Sequence, residues 1–191
     1  MNDKTILQAV ELLKAGQLVA VPTETVYGLA ADAQNPKAVE AIFTLKGRPN
    51  TQPLSLLIPN NAPLSRWAID IPKQADSLTQ KYWPGPLTLI LKKANWIPDV
   101  ITASGETIGL RCPDHPILQK ILEHFPYGLA APSANRFGEK SPQNAQDVMQ
   151  VFGNDLNLII DGGPCKIGTA STILDLTTTP AKILRQGTLV V

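Results

Sequence analysis

Thr23-Glu24-Thr25-Val26-Tyr27 gathers two hydroxyls, a carboxylate and a phenol into one short run. It follows the apolar stretch Leu18-Val19-Ala20-Val21 and is entered through Pro22. Polar groups at the end of a buried strand suit a small, hydrogen-bonded ligand. A Pro-initiated turn with local threonine hydrogen bonds accounts for the same residues. Other clusters along the chain bear on that choice.

Lys46-Gly47-Arg48-Pro49 flanks a glycine with two cations. Arg can grip a phosphate as a fork and Lys as a point charge. A cation in a last helical turn also simply complements the helix dipole, with Gly47 as an ordinary cap. Arg48, beyond the cap, is less easily explained that way. Arg111 in Gly109-Leu110-Arg111-Cys112-Pro113 interrupts an apolar strand pattern. Such an Arg either points outward to water or anchors an anion in a cleft. Ala131-Pro132-Ser133-Ala134-Asn135 leads to Ser141-Pro142, small polar residues ahead of a helix whose free amides favour anions. Asp161-Gly162-Gly163 allows a tight turn or close backbone approach. Ser171-Thr172 and Leu184-Arg185-Gln186-Gly187 add hydroxyls and a further cation at strand ends.

The elements that must position these groups follow from periodicity and caps. Ile6, Leu7, Val10 and Leu13 have helical spacing, with Gly16 as the expected stop. Asn35-Pro36 predicts a capped helix start, and the helix ends at Gly47. Further helical segments are expected within 61–69 and 73–82, from an Asp114 cap to about His124, and from a Ser141 cap followed by Pro142 through Val148 and Val151. Strands are expected at 18–21, 54–58, 87–92, 108–111, 129–131, 158–161, 172–176 and 182–184. Strands outnumber helices without strict alternation. The expected fold is therefore α/β, a twisted open mixed sheet with flanking helices rather than a doubly wound one.

Composition narrows the class. At 191 residues, one domain over 1–191 is expected, with ample core. A net charge of +1 provides no global field towards nucleic acid or an anionic membrane. Apolar runs such as Leu87-Thr88-Leu89-Ile90-Leu91 are too short to span a bilayer, and the N-terminus lacks the features of a signal peptide. A cytoplasmic location is expected. Cys112, Cys165, His115 and His124 have neither disulfide-framework nor zinc-site spacing. No P-loop, Gly-x-Gly-x-x-Gly or Gly-x-Ser-x-Gly signature is present. The available groups are cations, hydroxyls and backbone amides. That inventory suits positioning and charge stabilisation, as in phosphoryl or nucleotidyl transfer.

Across nearly the whole chain these segments resemble the YrdC-domain family of threonylcarbamoyl-AMP synthases. The resemblance rests on residues 22–29, Lys46-Gly47-Arg48-Pro49, Trp83-Pro84-Gly85-Pro86-Leu87-Thr88, Ser133-Ala134-Asn135, Ser171-Thr172-Ile173 and Leu184-Arg185-Gln186-Gly187, in shared order and spacing. It implies a concave, positively lined cleft. There L-threonine, bicarbonate or CO2, and ATP would give threonylcarbamoyl-AMP and pyrophosphate, for the t6A modification of tRNA. It implies that Thr25, Arg111, Ala131 and Ser171 bind threonine. Lys46, Arg48, Gln52, Thr107, Ser133, Asn135, Ser141 and Arg185 would face ATP, with Lys46, Arg48 and Arg111 catalytic. Mg2+ would come with the triphosphate, and no protein-ligated metal is expected. The product would pass to a separate tRNA-modifying complex, with weak tRNA contact at most.

Two departures stand out. Longer relatives carry Asn-Pro-Leu-x-x-His where this chain has Gln52-Pro53-Leu54-Ser55-Leu56-Leu57, so Leu57 replaces a hydrogen-bonding side chain. The chain also ends soon after Arg185, so the extra domain of the longer branch is expected to be absent. An RNA- or ribosome-binding module, or a YrdC-like paralogue with another acceptor, remains the alternative.

Overall fold

The computed structural model describes residues 3–191. Among them the helices are α1 (Asp3–Lys14), α2 (Pro36–Lys46), α3 (Gln74–Tyr82), α4 (Asp99–Thr102), α5 (Pro116–Leu122) and α6 (Ala145–Phe152). The strands are β1 (Val19–Val21), β2 (Gly28–Asp32), β3 (Ser55–Leu57), β4 (Ala68–Ile69), β5 (Leu87–Lys93), β6 (Thr107–Arg111), β7 (Leu129–Ala130), β8 (Thr172–Asp175) and β9 (Lys182–Arg185). They form one open sheet in the order β1-β2-β7-β3-β6-β5-β8-β9, with β4 beside β5. β3 runs parallel to β6 and β5 to β8; the remaining pairs are antiparallel. The expected mixed open sheet is thus what the chain forms.

The helix caps show why the elements begin and end where they do. Asn35 accepts a hydrogen bond from Ala38 N–H, Pro36 opens α2, and Gly47 closes it at φ 62°. Three helix expectations are corrected. Asp114 does not cap α5: His115 holds that position ahead of Pro116, and Asp114 N–H donates to Glu24 Oε2 instead. Ser141 does not cap α6: Asn144 does, accepting from Asp147 N–H while Asp147 Oδ2 accepts from Gln143 N–H. Segment 61–69 holds a 3-10 turn, Leu64–Arg66, followed by β4. Residues 158–161 make a single bridge through Ile159 to Ala20, and β2 forms where no strand was expected.

Register and the two-residue side-chain period decide which residues share a face. Leu29, Ala31, Leu56, Leu89 and Leu110 lie on one face and join an apolar cluster with Val39, Ile42 and Phe43 of α2 and Ile101 of α4. Each fully buried Leu, Ile or Val among them contributes about 1.5–3 kcal/mol relative to exposure. The other face is divided. Over β1, β2 and β7 it carries Val19, Val21, Ala30 and Leu129, which pack with Ile6, Val10 and Leu13 of α1 and Leu118, Ile121 and Leu122 of α5. Over β3, β6, β5, β8 and β9 the same face carries Ser55, Arg111, Thr88, Ile173 and Arg185. These residues line a cavity. Leu57 stands at the border, in both the helix-covered cluster and the cavity wall. Gly109 lies between Thr107 and Arg111 on that face; a Cβ there would sit 2.6 Å from Ser55 Oγ. Its hydrogen keeps the floor open.

Candidate active site

The cavity collects residues from nine separate stretches of chain. Thr23, Thr25 and Tyr27 come from the β1–β2 turn, Arg48 from beyond α2, Ser55 and Leu57 from β3, and Thr88 from β5. Arg111 ends β6, Ala131 and Ser133 follow β7, Ser141 precedes α6, Ser171 precedes β8 and Arg185 ends β9. Of the residues expected from sequence, Thr25, Arg48, Arg111, Ala131, Ser133, Ser141, Ser171 and Arg185 are brought together here.

The other four lie elsewhere. Lys46 is 2% exposed, and its ammonium donates to the carbonyls of Ser133, at 2.6 Å, and Asn135, at 2.5 Å. It ties down the loop that carries Ser133. Burial first, then the neighbouring Arg48 charge, pushes its pKa down to about 8. Asn135 is buried; its amide nitrogen donates to the carbonyls of Arg136 and Glu139, while its Oδ1 finds no protein partner among the described residues. Gln52 is exposed outside the cavity lining. Thr107 shares the Arg111 face of β6 but lies four residues back, roughly 13 Å along a strand.

The β1–β2 turn is held by its own hydrogen bonds and by three neighbouring segments. Thr23 Oγ1 donates to Val26 O at 2.7 Å and accepts from Thr25 N–H at 3.0 Å. Tyr27 N–H donates to Pro142 O, and Ala134 N–H to Tyr27 O. The Tyr27 hydroxyl donates to Gly163 O at 2.8 Å and accepts from Gly162 N–H at 3.0 Å, which gives the double glycine its purpose. Burial pushes this phenol up to about 12, so it stays protonated. Tyr27→Phe is expected to cost about 1–2 kcal/mol in urea unfolding, because both backbone groups lose their partner.

The three cavity arginines differ in depth and company. Arg111 is 6% exposed, donates through Nε to Gly85 O, and meets Glu24 Oε1 at 2.7 Å through Nη2. That approach is an ion pair off the hydrogen-bond axis. Arg48 is half-buried and donates only to the carbonyls of Gln52 and Pro53. Arg185 is exposed along its length and donates to Ser171 O and Oγ, both at 3.0 Å. Neither Arg48 nor Arg185 has a carboxylate partner among the described residues. Desolvation of the guanidinium lowers the pKa of both, and Arg111 lowers that of Arg185 further. Cationic charge without an internal counterion, at the mouth of a hydroxyl-lined hollow, matches a polyanion. Ser171 Oγ also lies 2.8 Å from Thr88 Oγ1, which joins the floor to the mouth.

Sequence reading assigned no role to Glu24, Tyr27 or Thr88. All three lie inside recognised motifs, which was the available signal. Thiol chemistry has little support, since burial raises both Cys112 and Cys165 to about 11. No group of three or more His, Cys, Asp or Glu side chains is gathered as a metal site among the described residues. No described helix is long and apolar enough to cross a membrane.

The chain is an α/β open mixed sheet with a cationic, hydroxyl-rich hollow on one face. The Sua5/YciO/YrdC family model, described as telomere recombination, matches residues 11–187, and the chain belongs to that family. The threonylcarbamoyl-AMP synthase of Pyrococcus abyssi is 45% identical over 94% of this chain and 53% of its own length. That of Bacillus subtilis is 41% identical over 97% of this chain and 54% of its own. The crystal structure of P. abyssi Sua5 complexed with L-threonine superposes with a TM-score of 0.96 at 43% identity, covering 99% of this chain and 56% of that one. The chain thus spans about half the length of these relatives.

Proposed function

We propose that this chain condenses L-threonine, bicarbonate or CO2, and ATP into L-threonylcarbamoyl-AMP and pyrophosphate. The observation that carries this reading is the pairing of a deep Arg111 and hydroxyl pocket with two counterion-free arginines at its mouth. The similarity to synthases of that name supports it. Thr25, Ala131, Ser171 and Arg111 take the amino acid. Arg48 and Arg185 face the phosphates, and Ser133 and Ser141 the rest of the nucleotide. Lys46 and Asn135 hold the nucleotide-side loop in shape. Gln52 and Thr107 have no part in this assignment.

The chemistry follows from those groups. The threonine amine takes up CO2 and loses a proton to solvent, giving a carbamate. A carbamate oxygen forms a bond to the α-phosphorus of ATP as the bond from that phosphorus to the bridging oxygen breaks, and pyrophosphate leaves. The chain supplies orientation and cations. The lining contains no carboxylate among the described residues, and Glu24 behind it is engaged by Arg111, so Mg2+ enters as part of the nucleotide substrate. The product then passes to separate tRNA-modifying proteins.

The test is pyrophosphate release with ATP and bicarbonate across the twenty amino acids. Stimulation by threonine alone is expected. Response to a different amino acid favours a paralogue, a reading that the apolar Leu57 wall would suit. Salt-sensitive RNA binding without pyrophosphate release favours a binding module.

A further inference from the structure

Glu24 lies behind the cavity wall, 3% exposed, and is absent from the cavity lining. Three segments meet on it. Its Oε1 faces Arg111 Nη2 at 2.7 Å, its Oε2 accepts from Asp114 N–H at 3.1 Å, and its backbone carbonyl accepts from Ile167 N–H at 2.9 Å. Arg111 is otherwise held through Nε by Gly85 O, itself fixed by Gly85 N–H donating to Cys112 O. These contacts engage one edge of the guanidinium. Its Nη1 N–H groups have no protein partner among the described residues, and Arg111 lines the cavity.

We propose that Glu24 is the positioning residue for Arg111, setting the direction of the cavity's deep cation without touching ligand. The physical need is plain. A guanidinium this buried is costly without a counterion, and removing one member of such a pair leaves the other uncompensated. Unpaired, Arg111 swings towards water and the free Nη1 edge leaves the cavity. Pairing also fixes the guanidinium before a carboxylate arrives. The ligand meets a cation already desolvated and oriented, so less of its binding energy is spent on ordering the site. Among the described residues Arg48 and Arg185 have no such partner, so the device is specific to the amino-acid end. This inference rests on the amino-acid role given to Arg111 above.

The experiment has an arm that does not depend on activity. In Glu24→Gln, the shape and the acceptor for Asp114 N–H remain while the charge is lost. The Arg111 Nε–H resonance, assigned through Arg111→Lys, is expected to be dispersed and slow to exchange in the wild type and to collapse to the solvent-exposed position in Glu24→Gln. Calorimetry is expected to show at least tenfold weaker L-threonine binding, with affinity for a non-hydrolysable ATP analogue within about twofold. A merely structural role would lower the melting temperature and leave the two affinities in their wild-type ratio. Should Glu24→Gln fail to fold, the apolar pair Glu24→Leu/Arg111→Met serves, since apolar replacement of a buried ion pair is commonly tolerated. That pair is expected to keep the ATP analogue and lose threonine. An unmoved Arg111 signal in Glu24→Gln, or wild-type threonine affinity in either variant, overturns the proposal. Absence of threonine binding to the wild-type protein, with the resonance behaving as expected, removes the threonine reading and leaves the positioning role standing.

Discussion

Arg48→Ala is expected to lower ATP-dependent pyrophosphate release about a hundredfold, equivalent to ~3 kcal/mol of lost charge stabilisation. The guanidinium donates only to two carbonyls of its own loop, Gln52 O at 3.3 Å and Pro53 O at 3.0 Å. It also lies over the exposed Phe137 ring, 5.7 Å from the centroid. Removing a half-buried side chain with such partners should leave the fold intact, which unfolding in urea will check. The loss should concentrate in the nucleotide steps and leave threonine affinity unchanged. Wild-type turnover by the folded variant removes Arg48 from the assignment.

Lys46→Ala is expected to damage both the fold and the reaction. Two carbonyls, of Ser133 and Asn135, lose a charged donor in a buried place, which costs about 2–4 kcal/mol. The wild-type protein offers a cleaner readout through pH. Lys46 titrates at about 8 in the folded chain, below its ordinary 10.5. The unfolded chain therefore binds more protons between those values, and this group's contribution to stability rises with pH across that window. Its effect on the reaction has the opposite sign. Above about pH 8 the amine still donates to the two carbonyls, but its charge, close to Arg48, no longer adds to the positive potential on the nucleotide side of the cavity. The apparent KM for ATP should rise above pH 8 while the melting temperature does not fall on this account. In Lys46→Met that rise should vanish; its persistence would assign the titration to another group.

How far the sequence could be read depended on whether a signal was local. Asn35-Pro36 and Gly47 bounded α2 correctly because a cap needs only neighbouring residues. The same logic misplaced α6. Ser141-Pro142 and Asn144 both offer capping oxygens, and the reciprocal contact from Asp147 decides for Asn144. The spacing Asn144-x-x-Asp147 was the overlooked signal. β2 escaped because Gly28-Leu29-Ala30-Ala31-Asp32 is nearly all small or apolar and buried on both faces, so it shows no alternation.

The cations were identifiable by type, but their directions come from packing. Arg111 and Arg185 face one hollow because register places β6 and β9 side chains on the face that α1 and α5 leave bare, and Arg48 reaches it from the loop beyond α2. Lys46, only two residues before Arg48, turns into the protein. The partner of Arg111 lies in a turn 87 positions earlier (111 − 24), a pairing that no local pattern encodes.

β9 is bonded along one side to β8 and is exposed at every position. The guanidinium that completes the mouth of the hollow is thus mounted on the sheet's outermost rib. On the function proposed above, fraying of that rib would withdraw Arg185 and release its two contacts to Ser171, and a triphosphate bridging it to Arg48 would act as a clasp. Nucleotide capture and the tightness of the last strand would then be one equilibrium, legible as slowed amide exchange from Lys182 to Arg185 on adding ATP.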